Sequence, residues 1–176
     1  MNNPAGSLAV SVAETIVVIK VAGRASFTIS ADFKRLILEL IQRGYRRFLI
    51  DLSKCLILDS TFLGVLAAAG QKLSGKADPA VTGSVELFRA NERVVDLLNN
   101  LGVASLFTFV SETDRLPQLT VAAQSVVIQA SREETSRTCL EAHLTLMNIN
   151  PANVPRFKDV TKFIAEDLEK IQSQKR

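Results

Sequence analysis

Asp59, Ser60 and Thr61 stand in a row inside a largely apolar stretch, "LIDLSKCLILDSTFLGVLAAAGQKL", which runs from Leu49 to Leu73. An acid and two hydroxyls between "LIL" and "FLG" suit the entrance of a helix. The first amide hydrogens of a helix lack partners within it, and a side-chain oxygen of Asp59 or Ser60 can accept from one of them. Capping explains one polar residue well and three in sequence less well. The others point to a hydroxyl presented for modification or to an unmodified binding surface. A phosphate placed there adds about −1.5 to −2 charge at pH 7. The helix terminus attracts that charge, and Asp59 repels it. Phe62 and Leu63 come next and are expected to give a partner apolar contact area. A phosphate facing that area would be poorly solvated in the complex.

Other chemistry has less behind it. His143 is the one histidine, four residues after Cys139, so the two share a helical face and offer two metal ligands. Without further clustered ligands, packing is the expected role, and the pair makes no catalytic site without added geometry. No "GKS" or "GKT" follows a strand. No histidine lies near Ser60 in sequence to activate its hydroxyl. The reading is therefore a chain that is not an enzyme and carries no cofactor and no metal.

The 176 residues suffice for one domain with a real core and additional structure. With 47% hydrophobic and 22% charged residues, the chain belongs among ordered proteins. A formal charge of +3, with Arg46 and Arg47 as the densest internal basic spot, argues against direct nucleic-acid binding. Cys55 and Cys139 lack metal-like spacing and suit free thiols in a reducing cytosol. "MNNPAGSLAV" lacks the regions of a signal peptide, and runs such as "FLGVLAAAG" are too short to span a bilayer. A cytoplasmic location without a transmembrane segment is expected; a peripheral membrane role stays open.

These residues need elements to position them. Leu8–Val12 and Thr15–Val21 predict a hairpin turned at Ala13 and Glu14, with Gly23 ending the second strand. A helix follows, with Ser30 as N-cap, Asp32 in its first turn, and Phe33, Leu36, Ile37, Leu40 and Ile41 as its apolar stripe. Gly44 suits the position after its end. "RRFLIDL" predicts a buried central strand, and a second helix runs from about Ser60 to Leu73. Gly64 and three alanines keep that helix thin enough for close packing. "SVELF" is a strand, Asn91 caps a third helix that Gly102 ends, and "SLFTFV" is the last core strand. The order β-β-α-β-α-β-α-β predicts a mixed sheet backed by helices, an α/β fold over residues 8–110.

Residues 111–131 form a linker of uncertain structure, in which Val126, Val127 and Ile128 fit a short strand or a helical turn. A C-terminal helical extension, residues 132–176, is expected to hold two helices. The first aligns Leu140, Leu144 and Met147. Asn153 caps the second, with Pro155 in its first turn, and Phe157, Val160, Ile164, Leu168 and Ile171 form its stripe. Such a pair needs a surface to dock on: the domain, or another copy through self-association.

"VAGRASFTISADFKRLI", "RRFLIDLSKCLILDSTFLGVLAAAG" and "VELFRANERVVDLLNNLGVASLFTF" together resemble a STAS domain of the anti-sigma factor antagonist type, SpoIIAA-like in fold. The matching signature is Asp51 closing a strand, then Asp59, Ser60 and Thr61, then Gly64, with Asn91 and Leu101-Gly102 as a second match. The resemblance implies that Ser60 is the phosphate acceptor. It further implies a partner anti-sigma factor with a histidine-kinase-like ATPase fold that phosphorylates Ser60, and a serine phosphatase that reverses the step. Asp59 then positions the acceptor or its helix terminus, and Thr61 is a supporting contact. The sequence departs from the family in two places. Phe62 stands where a glycine is common, and Ser26, three residues after Gly23, stands where many members have an aspartate. The alternative within the same resemblance is an unphosphorylated STAS adaptor in a sensory assembly or a membrane-transport system.

Overall fold

The computed structural model describes residues 5–76, 78–111, 124–126 and 129–173. Strands β1 (Ser7–Ala13) and β2 (Ile16–Ala25) pair as an antiparallel hairpin turned at Glu14 and Thr15, where Glu14 takes φ 55°. Then follow α1 (Phe27–Gln42), β3 (Arg47–Leu58), α2 (Ser60–Leu73), β4 (Ser84–Phe88), α3 (Glu92–Asn100) and β5 (Thr108–Val110). The two-residue strand β6 (Gln124–Ser125) precedes α4 (Arg132–Ile149) and α5 (Val154–Ser173). The strands form one sheet in the order β5-β4-β3-β2-β1-β6. β2 to β5 run parallel, and β1 is antiparallel to both of its neighbours. Parallel neighbours need a crossover, which α1, α2 and α3 supply in turn.

Side chains alternate between the two faces of a strand. Phe48, Ile50 and Leu52 of β3 therefore join Phe33 and Ile37 of α1, Leu63 and Leu66 of α2 and Leu98 of α3 in the main core. Leu49 turns the other way, into a small cluster with Val18, Phe88 and Val110. The result is the expected mixed sheet backed by helices, with two further helices at the C-terminus. The turn before α5 is fixed by buried Asn153, whose Nδ2 donates to the Leu101 carbonyl at 2.9 Å and to the Leu146 carbonyl at 3.0 Å.

Several local expectations are corrected. β2 does not end at Gly23, which takes φ 72° inside a strand that continues to Ala25. α1 starts at Phe27 with Ser26 at the N-cap position. Ser30 is buried inside α1, and its hydroxyl donates to the Ser26 carbonyl at 2.8 Å. Asp32 lies beyond the first turn and is buried. β3 runs on to Leu58, and the last core strand is shortened to Thr108–Val110 by a 3-10 turn over Ala104–Leu106. β6 makes the stretch before α4 a strand at Gln124–Ser125, with the Val126 amide donating to the Leu8 carbonyl. Val127 and Ile128 lie outside the described residues.

The inward face of α4 carries Thr138, Ala142, His143 and Leu146, while Leu144 is exposed. The alignment of Leu140, Leu144 and Met147 misses it because this face is built from small and polar residues. On α5, Thr161 and Leu168 are the buried positions and Val160 is exposed. Asn153 does not act as a side-chain cap, since its amide is turned inward to the two carbonyls.

Candidate functional site

β3 delivers Asp59 to the end of the sheet, and its amide donates to the Ala25 carbonyl at 3.0 Å. Each carboxylate oxygen of Asp59 then accepts one helix-terminal amide. Oδ1 takes the Phe62 amide of α2 at 2.8 Å, and Oδ2 takes the Phe27 amide of α1 at 2.8 Å. One side chain thus caps two helices, with a separate carboxylate oxygen for each amide, which a hydroxyl or an amide side chain does not supply. Ser26 precedes Phe27, and its hydroxyl pairs with that of Thr28 at 2.9 Å. Ser26 and Asp59 therefore meet at the first turn of α1.

Ser60 is the first residue of α2 and is half-buried. Its Oγ lies 3.0 Å from Nε2 of His143, a residue of α4 distant by 83 positions. Nδ1 of the same ring is 2.8 Å from the Cys139 carbonyl oxygen. A carbonyl only accepts, so Nδ1 carries the hydrogen. In the neutral ring Nε2 then holds a lone pair, and the Ser60 hydroxyl donates to it. Burial pushes the His143 pKa below the ordinary value of 6.5, while the Cys139 carbonyl and the Asp59 carboxylate pull the other way. Phe157 of α5 backs the imidazole with ring centroids 4.8 Å apart.

Thr61 is buried, and its Oγ1 lies 3.2 Å from Sγ of Cys139. Burial raises the Cys139 pKa, so the group is a thiol at neutral pH. One turn on, Gly64 lets α4 come close: a Cβ there would sit 2.5 Å from the Ala142 carbonyl oxygen. The ion pairs Lys34–Glu141 and Arg35–Glu134 join α4 to α1.

Phe62 and Leu63 do not lie at the surface. Both are 0% exposed, and the Phe62 ring stacks on Phe33 at 4.6 Å. At the third and fourth positions of α2 they point to the sheet, and the aromatic replaces a common glycine by filling the gap between α1 and α2. Exposed apolar surface around Asp59 comes instead from Phe27, Leu56 and Ile57. The approach of Cys139 and His143 to Thr61 and Ser60 escaped sequence reasoning. The available signal was their shared helical face together with the small residues Gly64 and Ala142.

A sheet that begins with a hairpin, a strand that carries Asp51 and runs on to Leu58, and a helix opened by Asp-Ser-Thr lie within residues 7–115, which the STAS domain signature matches. This chain belongs to the STAS domain family. Such a domain is a non-catalytic regulatory module. Solved structures with the same fold include an anti-sigma factor antagonist from Mycobacterium paratuberculosis, at 22% identity. The match covers 65% of this chain and 93% of that one, with TM-score 0.54. The Thermotoga maritima candidate anti-sigma factor antagonist TM1081 is 18% identical over 60% of this chain and 86% of that one, with TM-score 0.51. The unphosphorylated anti-sigma factor antagonist SpoIIAA is also 18% identical, covering 62% of this chain and 91% of that one, with TM-score 0.50. No curated protein sequence gives a significant match. Helices α4 and α5 lie beyond the matched residues. Among the described residues, no group of three or more His, Cys, Asp or Glu side chains is arranged to hold a metal, and no helix is long and apolar enough to cross a membrane.

Proposed function

We propose that this chain is an anti-sigma factor antagonist, a phosphorylation-controlled protein-binding switch in bacterial transcription regulation. Ser60 is the phosphoacceptor. The partner is an anti-sigma factor with a histidine-kinase-like ATPase fold, and a serine phosphatase resets the cycle. In the forward step Ser60 Oγ bonds to the γ-phosphorus of ATP, the bond to the ADP oxygen breaks, and the hydroxyl proton passes to a base of the kinase. The observation that carries the reading is the position of Ser60 in a STAS domain. It opens α2, and the capping work there is done by Asp59, so its hydroxyl is free of helix-internal duties. Thr61 is buried against α4, which suits a supporting contact better than an acceptor.

The negative charge acts on binding rather than on folding. The terminus of α2 favours a phosphate on Ser60, while an apolar partner surface over Phe27, Leu56 and Ile57 does not. Incubation with the cognate kinase and ATP, followed by phosphate mapping by mass spectrometry, tests the assignment. Ser60→Ala should abolish modification and keep partner binding, and Ser60→Asp should weaken binding in a folded chain. Phosphate on Thr61 alone overturns the acceptor assignment. No phosphate, with partner affinity unchanged in Ser60→Asp, points to the STAS adaptor role instead.

A further inference from the structure

We infer that α4 and α5 form an intramolecular cover over the phosphoacceptor end of α2, and that the covered state and a phosphate on Ser60 exclude one another. The phosphate half of this inference rests on the proposed function; the cover itself does not. Three contacts define it: Ser60 with His143, Thr61 with Cys139, and Gly64 with Ala142. They occupy the first turns of α2 on the side away from the sheet, so anything that must reach Ser60 from that side meets α4 first.

The exclusion follows from distance, and proton placement adds to it while the ring is neutral. A separation of 3.0 Å between Oγ and Nε2 leaves no space for a phosphorus and three oxygens. The ring cannot turn its N–H toward the phosphate without giving up the Cys139 carbonyl, which holds Nδ1 at 2.8 Å. A neutral His143 seated there presents a lone pair to a dianion, beside the Asp59 carboxylate. A protonated ring would donate from Nε2, so it is the 3.0 Å separation that carries the exclusion. The basic residues of α1 that reach α4, Lys34 and Arg35, are paired with Glu141 and Glu134.

The cover is also built to leave. Its fully buried positions are Thr138, Ala142, His143 and Leu146, with Ile149 packed partly buried at its end, so it buries less apolar surface than a core helix such as α2. The turn that joins α4 to α5 is anchored separately: Asn150 and Asn153 both donate to the Leu101 carbonyl. The part of α4 from Arg132 to His143 can therefore lift from α2 while the turn stays attached.

The test uses the full chain and iodoacetamide, with alkylation of Cys139 read by peptide mass spectrometry. Ala142→Leu places a wedge against Gly64 from the α4 side and leaves the surface of α2 native. It should raise Cys139 alkylation by about tenfold or more, with amide protection of β2 and β3 unchanged. Ser60→Asp should raise it as well. In the unmodified chain, α4 amides should exchange about tenfold faster than the slowest amides of β3. Equal exchange rates, or loss of sheet protection together with α4 in Ala142→Leu, would overturn the cover. Unchanged alkylation in Ser60→Asp would overturn the exclusion. All these readouts are independent of any kinase, so a failure of the phosphoacceptor reading shows up only in a phosphate map.

Discussion

The Ser60 hydroxyl donates to Nε2 of His143 across 3.0 Å, tying the first residue of α2 to a helix that lies outside the STAS match. The bond needs a neutral imidazole in its present sense, which makes it sensitive to pH. Burial lowers the His143 pKa, so as pH falls below about 6.5 the unfolded chain takes up the proton before the folded one. Stability is then present above that value and is lost as pH drops toward the folded pKa. The slope from this one group is at most about 1.4 kcal/mol per pH unit. Asp59 and Cys139 are the other titratable groups facing the ring. Urea unfolding between about pH 7.5 and 5.5 should show the loss in the native chain and a smaller one in His143→Phe.

Asp59 serves two helix termini at once, and this predicts an unusual intolerance. Asp59→Ala removes both caps and should cost about 1–4 kcal/mol, at roughly 0.5–2 kcal/mol per cap. Asp59→Asn should also destabilise, because one of the two amides would then face an NH2 group. Thermal unfolding of the two variants checks this; an Asn variant as stable as the native chain would contradict the double cap.

Phe62 belongs to the core, so its truncation should act on folding. Phe62→Ala removes a fully buried ring stacked on Phe33 and should cost about 3–5 kcal/mol in denaturant unfolding. Loss of partner affinity with stability unchanged would instead return Phe62 to the surface role expected from sequence.

The sequence was most legible where local physics repeats. The buried apolar run of β3, the Asn91 cap of α3 and the Gly44 and Gly102 stops each rest on a few neighbouring residues, and the structure has them as expected. Ser30 was misread because a hydroxyl before an apolar run looks like a cap whether it sits at Ncap or one turn inside. Here it bonds back to the Ser26 carbonyl instead. The covering face of α4 was illegible for a different reason. A face made of Thr138, Ala142 and His143 carries little hydrophobic signal, and its fit depends on Gly64, more than seventy residues earlier in the chain. Asp59 was read as a helper of Ser60, yet its second oxygen serves α1, a relation set by the parallel pairing of β2 with β3.

The most direct measurement is the site and extent of phosphate on the native chain and on Ala142→Leu, each incubated with the cognate kinase and ATP under the same conditions. Phosphate on Ser60 is expected in both, accumulating several-fold faster once α4 is wedged away from α2, as a gated opening requires. Phosphate on Thr61 in place of Ser60, or equal rates in the two chains, would contradict that expectation.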